Sequence, residues 1–178
     1  PTENEKKWVV NYIPDWVEPA SQDHLQNRME QPTLIDQYYI VREPNVELRL
    51  RAKTRHETTY ELGVKRGSGQ RREEPDPIFL DEEQAAGMAN AAVASLRKVR
   101  HLCPNSIMVE NVGFGIELDI YRGELEGLAV AEVELTDFAD GKELDVPDWF
   151  GKEVTTDPRF KNKNLASVGL KGIRWAKC

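Results

Sequence analysis

Short strings of this chain set ionisable side chains two residues apart: Glu3, Glu5 and Lys7 in TENEKKWVV, Arg49 and Arg51 in VELRLRAK, Glu117 and Asp119 in IELDIY, Glu132 and Glu134 in LAVAEVEL. Lys65 in TTYELGVK, Arg72 with Glu74, and Lys98 with Arg100 extend the series. Alternate residues of a β-strand share a face, so each string reads as a row of charge along one side of a strand. In the clearest cases the other side is apolar: Ile116, Leu118 and Ile120 oppose Glu117, Asp119 and Tyr121, and Val46, Leu48, Leu50 and Ala52 oppose Glu47, Arg49, Arg51 and Lys53.

A sheet with one oily and one wet side accounts for any single row. The same rows also suit a sheet closed into a barrel with its charged faces turned inward, and alternation alone leaves both arrangements open. In the second, Lys7, Arg49, Arg51, Lys65, Arg72, Lys98 and Arg100 would line a water-filled passage suited to a polyanion, arginine forks matching phosphate oxygens. Acidic rows in the same passage would repel that polyanion unless a hard divalent cation lay between. Carboxylate and phosphate oxygens together are the usual surroundings of Mg2+ or Mn2+. The chemistry implied is that of a metal–polyphosphate complex.

The elements that must carry these rows are mostly strands. Segment 34–42 (LIDQYYIVR) is aromatic and branched, 46–53 and 58–65 alternate cleanly, and further strands are expected near 98–100, 107–109, 114–121 and 128–135. Arg72, Glu74, Asp76 and Ile78 recur at period two, although Pro75 and Pro77 suit only an edge or irregular strand. Asp81 to Gln84 resembles a capping box opening a helix over 82–97, with Ala85, Met88, Ala89, Ala92, Val93 and Leu96 as its apolar stripe. A second, short helix is expected near 164–170. A proline-bounded insertion, 15–33, carries a short helical start capped by Ser21. Gly67-Ser68-Gly69 lacks phosphate-loop spacing and reads as a turn.

With 178 residues, 39% hydrophobic and 31% charged, the chain reads as one folded β-rich α+β domain spanning 1–178. A net charge of −7 argues against general nucleic-acid binding. No apolar run has the length of a membrane span, no leader opens the given sequence, and Cys103 and Cys178 have no metal-like spacing. The expectation is a cytoplasmic protein without membrane or nucleic-acid partners. His24, His56 and His101 form no zinc pattern, and Trp8, Trp16, Trp149 and Trp175 read as packing or rim residues.

Glu3-Asn4-Glu5-Lys6-Lys7 fits the E-x-E-x-K signature opening CYTH domains, the triphosphate tunnel metalloenzymes. In the same order follow LRLR at 48–51, the strand end at Lys65, R-x-E-x-D at 72–76, K-x-R at 98–100, E-x-D at 117–119 and GLAVAEVEL at 127–135. PDWFGKEVTTDPRFKNKNLA at 147–166 is similar to the tail of the bacterial branch. The resemblance covers nearly the whole chain. It implies an eight-stranded antiparallel closed tunnel with a few flanking helices, binding a linear triphosphate with Mg2+ or Mn2+. By position, Lys7, Arg49, Arg51, Lys65, Arg72, Lys98 and Arg100 would hold phosphates, and Glu3, Glu5, Asp119, Glu132 and Glu134 the metal. Glu74 and Glu117 would orient the basic groups, with Glu3, Glu5 and Lys7 at the catalytic centre.

The activity implied is hydrolysis of the terminal phosphoanhydride of inorganic tripolyphosphate or an organic triphosphate. The alternatives are an adenylyl cyclase and a non-catalytic polyphosphate- or nucleotide-binding module. The sequence is compatible with a monomer or a homodimer.

Overall fold

The computed structural model describes residues 2–17, 31–67, 71–139 and 141–173, without the side chains of Thr2, Glu3, Arg71, Arg72 and Phe138. The expected helical start at Ser21, together with Trp175 and Cys178, lies outside the described residues. In chain order the strands are β1 (Thr2–Val10), β2 (Thr33–Arg42), β3 (Val46–Thr54), β4 (Thr58–Arg66), β5 (Arg71–Glu73) and β6 (Ile78–Leu80). After helix α1 (Glu82–Asn90) come β7 (Ala94–Val109), β8 (Val112–Arg122), β9 (Ala129–Glu134), β10 (Phe150–Glu153) and helix α2 (Asn162–Val168). Among the described residues no helix is long and apolar enough to cross a membrane.

All the strands belong to one antiparallel sheet, ordered β10-β1-β5-β4-β3-β2-β7-β8-β9, with β6 on β4 and an additional β1–β9 pairing. The expected eight-stranded closed tunnel is therefore corrected: the described sheet has ten strands and is open along one seam. Strand β9 takes one edge of β1 through Glu5↔Glu134, Lys7↔Glu132 and their neighbours. Towards β4, β1 has only the three-residue β5, which meets β4 at the single pair Arg66↔Glu73. Beyond it β6 follows β4 while β10 follows β1, and no pairing joins β6 to β10 among the described residues. The cause is local. Pro75 and Pro77 have no N–H to donate to a ladder, so the period-two run 72–78 breaks into β5 and β6 instead of closing the sheet.

The helix expected over 82–97 is also corrected. Its start is as read: Asp81 accepts from the Gln84 backbone N–H, and the Gln84 side chain accepts from Asp81 N–H. The helix stops at Asn90, with only Ala85 buried, and from Ala94 the chain is a strand pairing with β2 and β8. Helical spacing in the alanine-rich stripe lost to Leu96, Lys98 and Arg100, which alternate and pair with β2, Lys98 and Arg100 with β8 as well. A helix with one buried side chain has little tertiary packing to extend it. The two strands expected near 98–100 and 107–109 are one continuous β7, with a register shift between Leu102 and Ser106 where Pro104 interrupts the donors.

The sheet buries apolar residues on both sides. Outside, Trp8, Ile116, Leu118, Ala131 and Val133 pack under Trp149 and Phe150, with Trp16 half-buried against them. Inside, at one end of the curl, Val9, Tyr39, Tyr121 and Val130 pack against Phe160 and Leu165.

Candidate active site

The inner face of the curled sheet encloses a cavity of about 410 Å³. Its depth can be followed along β3, where side-chain exposure rises from 7% at Arg49 to 19% at Arg51 and 31% at Lys53. The deep end is lined by the tail of the chain. There the 3-10 turn Pro158–Phe160 and the start of α2 sit over Tyr39, with Val154, Phe160 and residues 161–163 in the wall. Helix α2 is tied across this end by Lys163 Nζ donating to the Glu43 carbonyl at 3.0 Å, the Tyr121 hydroxyl donating to Asn162, and Arg42 donating to the Ser167 hydroxyl.

Two charge networks face each other across the space. On the β3–β4 side, Glu74 gathers three cations: Arg49 at 2.5 Å, Lys65 at 3.1 Å and Arg51 at 3.6 Å. Opposite, Lys7 Nζ bridges Glu5 and Glu132, the latter at 2.5 Å. Arg100 forks onto both oxygens of Asp119, each at 2.7 Å, reaches Glu132 at 2.7 Å and pairs with Glu117. Lys98 pairs with Asp119 and stands 5.9 Å from the Tyr121 ring centre. Cross-strand register produces the second network, because Glu117 lies opposite Glu132, Glu132 opposite Lys7, and Asp119 opposite Arg100.

Burial and neighbours set the protonation states. Burial opposes charge on Lys7, yet Glu132 and Glu5 outweigh it and raise its pKa. Burial likewise works against the Glu132 carboxylate, and Lys7, Lys98 and Arg100 reverse the sign, holding it well below the usual range. Lys98 is pulled down by burial and by Arg100, against the attraction of Asp119 and Glu132. Glu117 is pushed up by burial, only partly countered by Arg100. Arg51 is lowered by burial and by its neighbour Arg49. Lys98 and Arg51 are thus held charged beside other cations at a cost, the arrangement expected where a polyanion completes the site.

Of the residues singled out in the sequence, Glu5, Lys7, Arg49, Arg51, Lys65, Glu74, Lys98, Arg100, Glu117, Glu132 and Glu134 line the cavity. Asp119 does not: it is fully buried behind Lys98 and Arg100, which its oxygens hold. Glu3 and Arg72 face each other in register across β1 and β5, and their side chains lie outside the described ones. Gln37, Tyr39, Glu47, Lys53 and Thr155 also line the space and were not singled out. Glu47 and Lys53 share the alternation of Arg49 and Arg51, so the same period pointed to them. Thr155 and residues 161–163 lack that alternation; they lie within the tail motif at 147–166, and tertiary docking of the tail brings them in.

Fold and wall together define a β-protein with an inward-facing site for a small polyanion. No protein-family model matches the chain. It is 30% identical to the inorganic triphosphatase of Nitrosomonas europaea over 165 residues, covering 93% of this chain and 97% of that protein. A 62-residue segment is 45% identical to the inorganic triphosphatase of Acetivibrio thermocellus, spanning 35% of this chain and 38% of that protein. The crystal structure of the inorganic triphosphatase NE1496 superposes with a TM-score of 0.60 at 29% identity, covering 93% of this chain and 94% of that one. The chain belongs to the inorganic triphosphatase family, as its CYTH-like motifs indicate.

Proposed function

We propose that this chain hydrolyses inorganic tripolyphosphate, one water adding to the terminal phosphorus as the P–O–P bridge breaks, to give orthophosphate and pyrophosphate. The observation that carries the reading is the facing pair of networks: Arg49, Arg51 and Lys65 on one wall, Lys7, Lys98 and Arg100 on the other. Each cation is already held in place by a carboxylate, so the phosphate-binding groups are preorganised before substrate arrives. The 30% identity over 165 residues to the inorganic triphosphatase of Nitrosomonas europaea supports an inorganic substrate.

The wall offers oxygen donors to a divalent cation. Glu5 and Glu134 are opposite one another in register and Glu132 is two residues along the same face, a set without thiolate or imidazole that suits Mg2+ or Mn2+. Among the described residues no three such groups are yet gathered as a ligand set, since Lys7 holds Glu5 and Glu132. Glu5, Glu132 and Glu134, with Glu3, would hold the ion, which when bound neutralises phosphate charge and polarises the water. Asp119 fits a different role from the one its motif implies: it fixes Lys98 and Arg100 from behind. Glu74 does the same for Arg49, Arg51 and Lys65. Lys7 neutralises charge on the phosphoryl oxygens, and the Glu5 and Glu3 carboxylates orient the attacking water.

The test is release of orthophosphate from tripolyphosphate by pure protein with Mg2+ or Mn2+, run beside ATP. Turnover of tripolyphosphate that stops with a chelator and returns with metal is the expected result. Cyclic AMP formed from ATP without free phosphate would establish the cyclase chemistry instead, and tight binding without turnover a sensor.

A further inference from the structure

Strand β1 is held differently on its two edges. One edge is a continuous ladder with β9, in which Lys7 lies opposite Glu132. The other edge is divided: β5 takes it from Thr2 to Asn4, and β10 takes it again from Trp8. Residues 5–7, which include Glu5 and Lys7, fall between these two ladders. The tail just beyond β10 meets Lys7 there. The Val154 N–H donates to the Lys7 carbonyl at 2.8 Å, which makes Lys7 and Val154 half of an antiparallel hydrogen-bonded pair. A regular pair would return the second bond from the Lys7 N–H to the Val154 carbonyl. That carbonyl instead accepts from the Asp157 N–H at 3.0 Å, as the chain turns out of the sheet towards the 3-10 turn Pro158–Phe160. The Lys7 N–H donates to the Thr155 hydroxyl oxygen, at 3.0 Å.

A side chain therefore stands in for a ladder carbonyl, and it does so at the residue whose ammonium bridges Glu5 and Glu132. The hydroxyl is oriented for this. Its hydrogen is directed at Glu153, 2.7 Å away, which leaves the oxygen lone pairs to the Lys7 N–H. Thr155 also lines the cavity, on the wall that carries Glu5 and Lys7. Valine at this position would fill nearly the same volume and accept nothing, so the Lys7 N–H would lose its partner. The main chain under Lys7 would then be fixed at its carbonyl alone on this edge. Misplacing a catalytic group by about 1 Å can cost on the order of a hundredfold in rate.

We infer that Thr155 is a positioning residue: its hydroxyl completes the β1 edge at Lys7 and so fixes where the Lys7 ammonium meets the reacting phosphoryl group. The inference rests on the triphosphatase reading above and adds a residue to the same site. It also gives the tail a part in the reaction, because the segment that leaves the sheet at Val154 holds the main chain of Lys7 through both of its polar groups.

The experiment compares the full chain with Thr155→Val, Thr155→Ala and Thr155→Ser, by steady-state kinetics on tripolyphosphate with Mg2+ and by amide hydrogen exchange at Lys7. Thr155→Val is expected to lower kcat roughly tenfold or more while KM stays within about threefold, since the other cations of the cavity still hold the substrate. The Lys7 amide should exchange about tenfold faster, as loss of one hydrogen bond predicts, while the β9 amides keep their protection. Thr155→Ala, the second hydroxyl-free variant, should show the same fall in kcat if valine disturbs the packing. Thr155→Ser keeps the oxygen and should return both kcat and Lys7 protection towards wild type. Wild-type kcat in the hydroxyl-free variants, a rise in KM in place of the fall in kcat, or a serine variant as slow as the valine one would overturn the inference and leave the triphosphatase reading intact. Failure of the wild-type chain to hydrolyse tripolyphosphate would remove both.

Discussion

At the scale of single residues, each cation of the two facing networks is paired with an acid. Arg49 and Arg51 share Glu74, so removing either arginine deletes a preorganised donor fork. Arg49→Ala and Arg51→Ala should each raise KM for tripolyphosphate by about ten- to a hundredfold, the equivalent of about 1.5–3 kcal/mol for a hydrogen bond to a charged group. Steady-state kinetics that match the wild type in both variants would refute the assignment of this strand face. Glu132 is the acid on which Lys7 and Arg100 converge. Its carboxyl titrates below the ordinary 4.5, so its stabilisation is present above that pH and is lost as pH falls through the depressed folded value. Lys7 is raised, so its own contribution is complete below its ordinary 10.5 and fades only as pH climbs past its folded value. The pair is therefore intact through the neutral range. Glu132→Gln should cost about 3 kcal/mol at neutral pH, the lower end for breaking a buried pair because the cavity admits water. The variant should also lose less stability than wild type on acidification below 4.5. Urea unfolding at neutral and acidic pH reads both effects.

Elements place these residues, and two junctions are sensitive to change. Gly151 in β10 lies against β1, where an added Cβ would fall 2.7 Å from the Val9 carbonyl oxygen and 2.5 Å from Asn11 Oδ1. The asparagine can rotate but the carbonyl belongs to the β1 ladder. Gly151→Ala should therefore destabilise by about 1–3 kcal/mol, the usual cost of overpacking, seen as a lower urea midpoint. A midpoint equal to wild type would mean the β1–β10 approach is looser than described. At the deep end, Leu165 is the one fully buried side chain of α2 and packs beside Phe160 and Tyr121. Leu165→Ala should cost about 2–4 kcal/mol and loosen the tail at that end of the cavity. Amide hydrogen exchange should then rise in α2 ahead of β3 and β7.

For the whole molecule, the net charge of −7 and the cation-rich cavity have opposite signs, so overall charge misreports what the site binds. Mutual repulsion among the cavity cations is relieved when a polyanion enters. Tripolyphosphate with metal at 100 times its Kd should raise stability by about 2.7 kcal/mol, a rise in Tm of roughly 5–10 °C for a chain of this length. Differential scanning fluorimetry tests this, and no shift with a turned-over substrate analogue would contradict binding to the folded cavity.

The amino-acid order determined most of the long strands and which side of each carries charge, because a period of two is a local property of the chain. It also singled out most of the charged residues on the strands of the cavity wall, from Glu5 and Lys7 to Glu132 and Glu134. The resemblance of its motifs pointed to the right family. Tertiary structure decided the rest. The seam at Pro75 and Pro77 left the sheet open, because closure depends on ladder donors across strands distant in sequence. Register put Asp119 opposite Arg100 and so behind the wall, although its parity equals that of Glu117. Docking of the tail added its residues to one end of the cavity wall. Periodicity is local, whereas register, closure and docking are settled only when remote segments compete for the same hydrogen bonds and the same buried space.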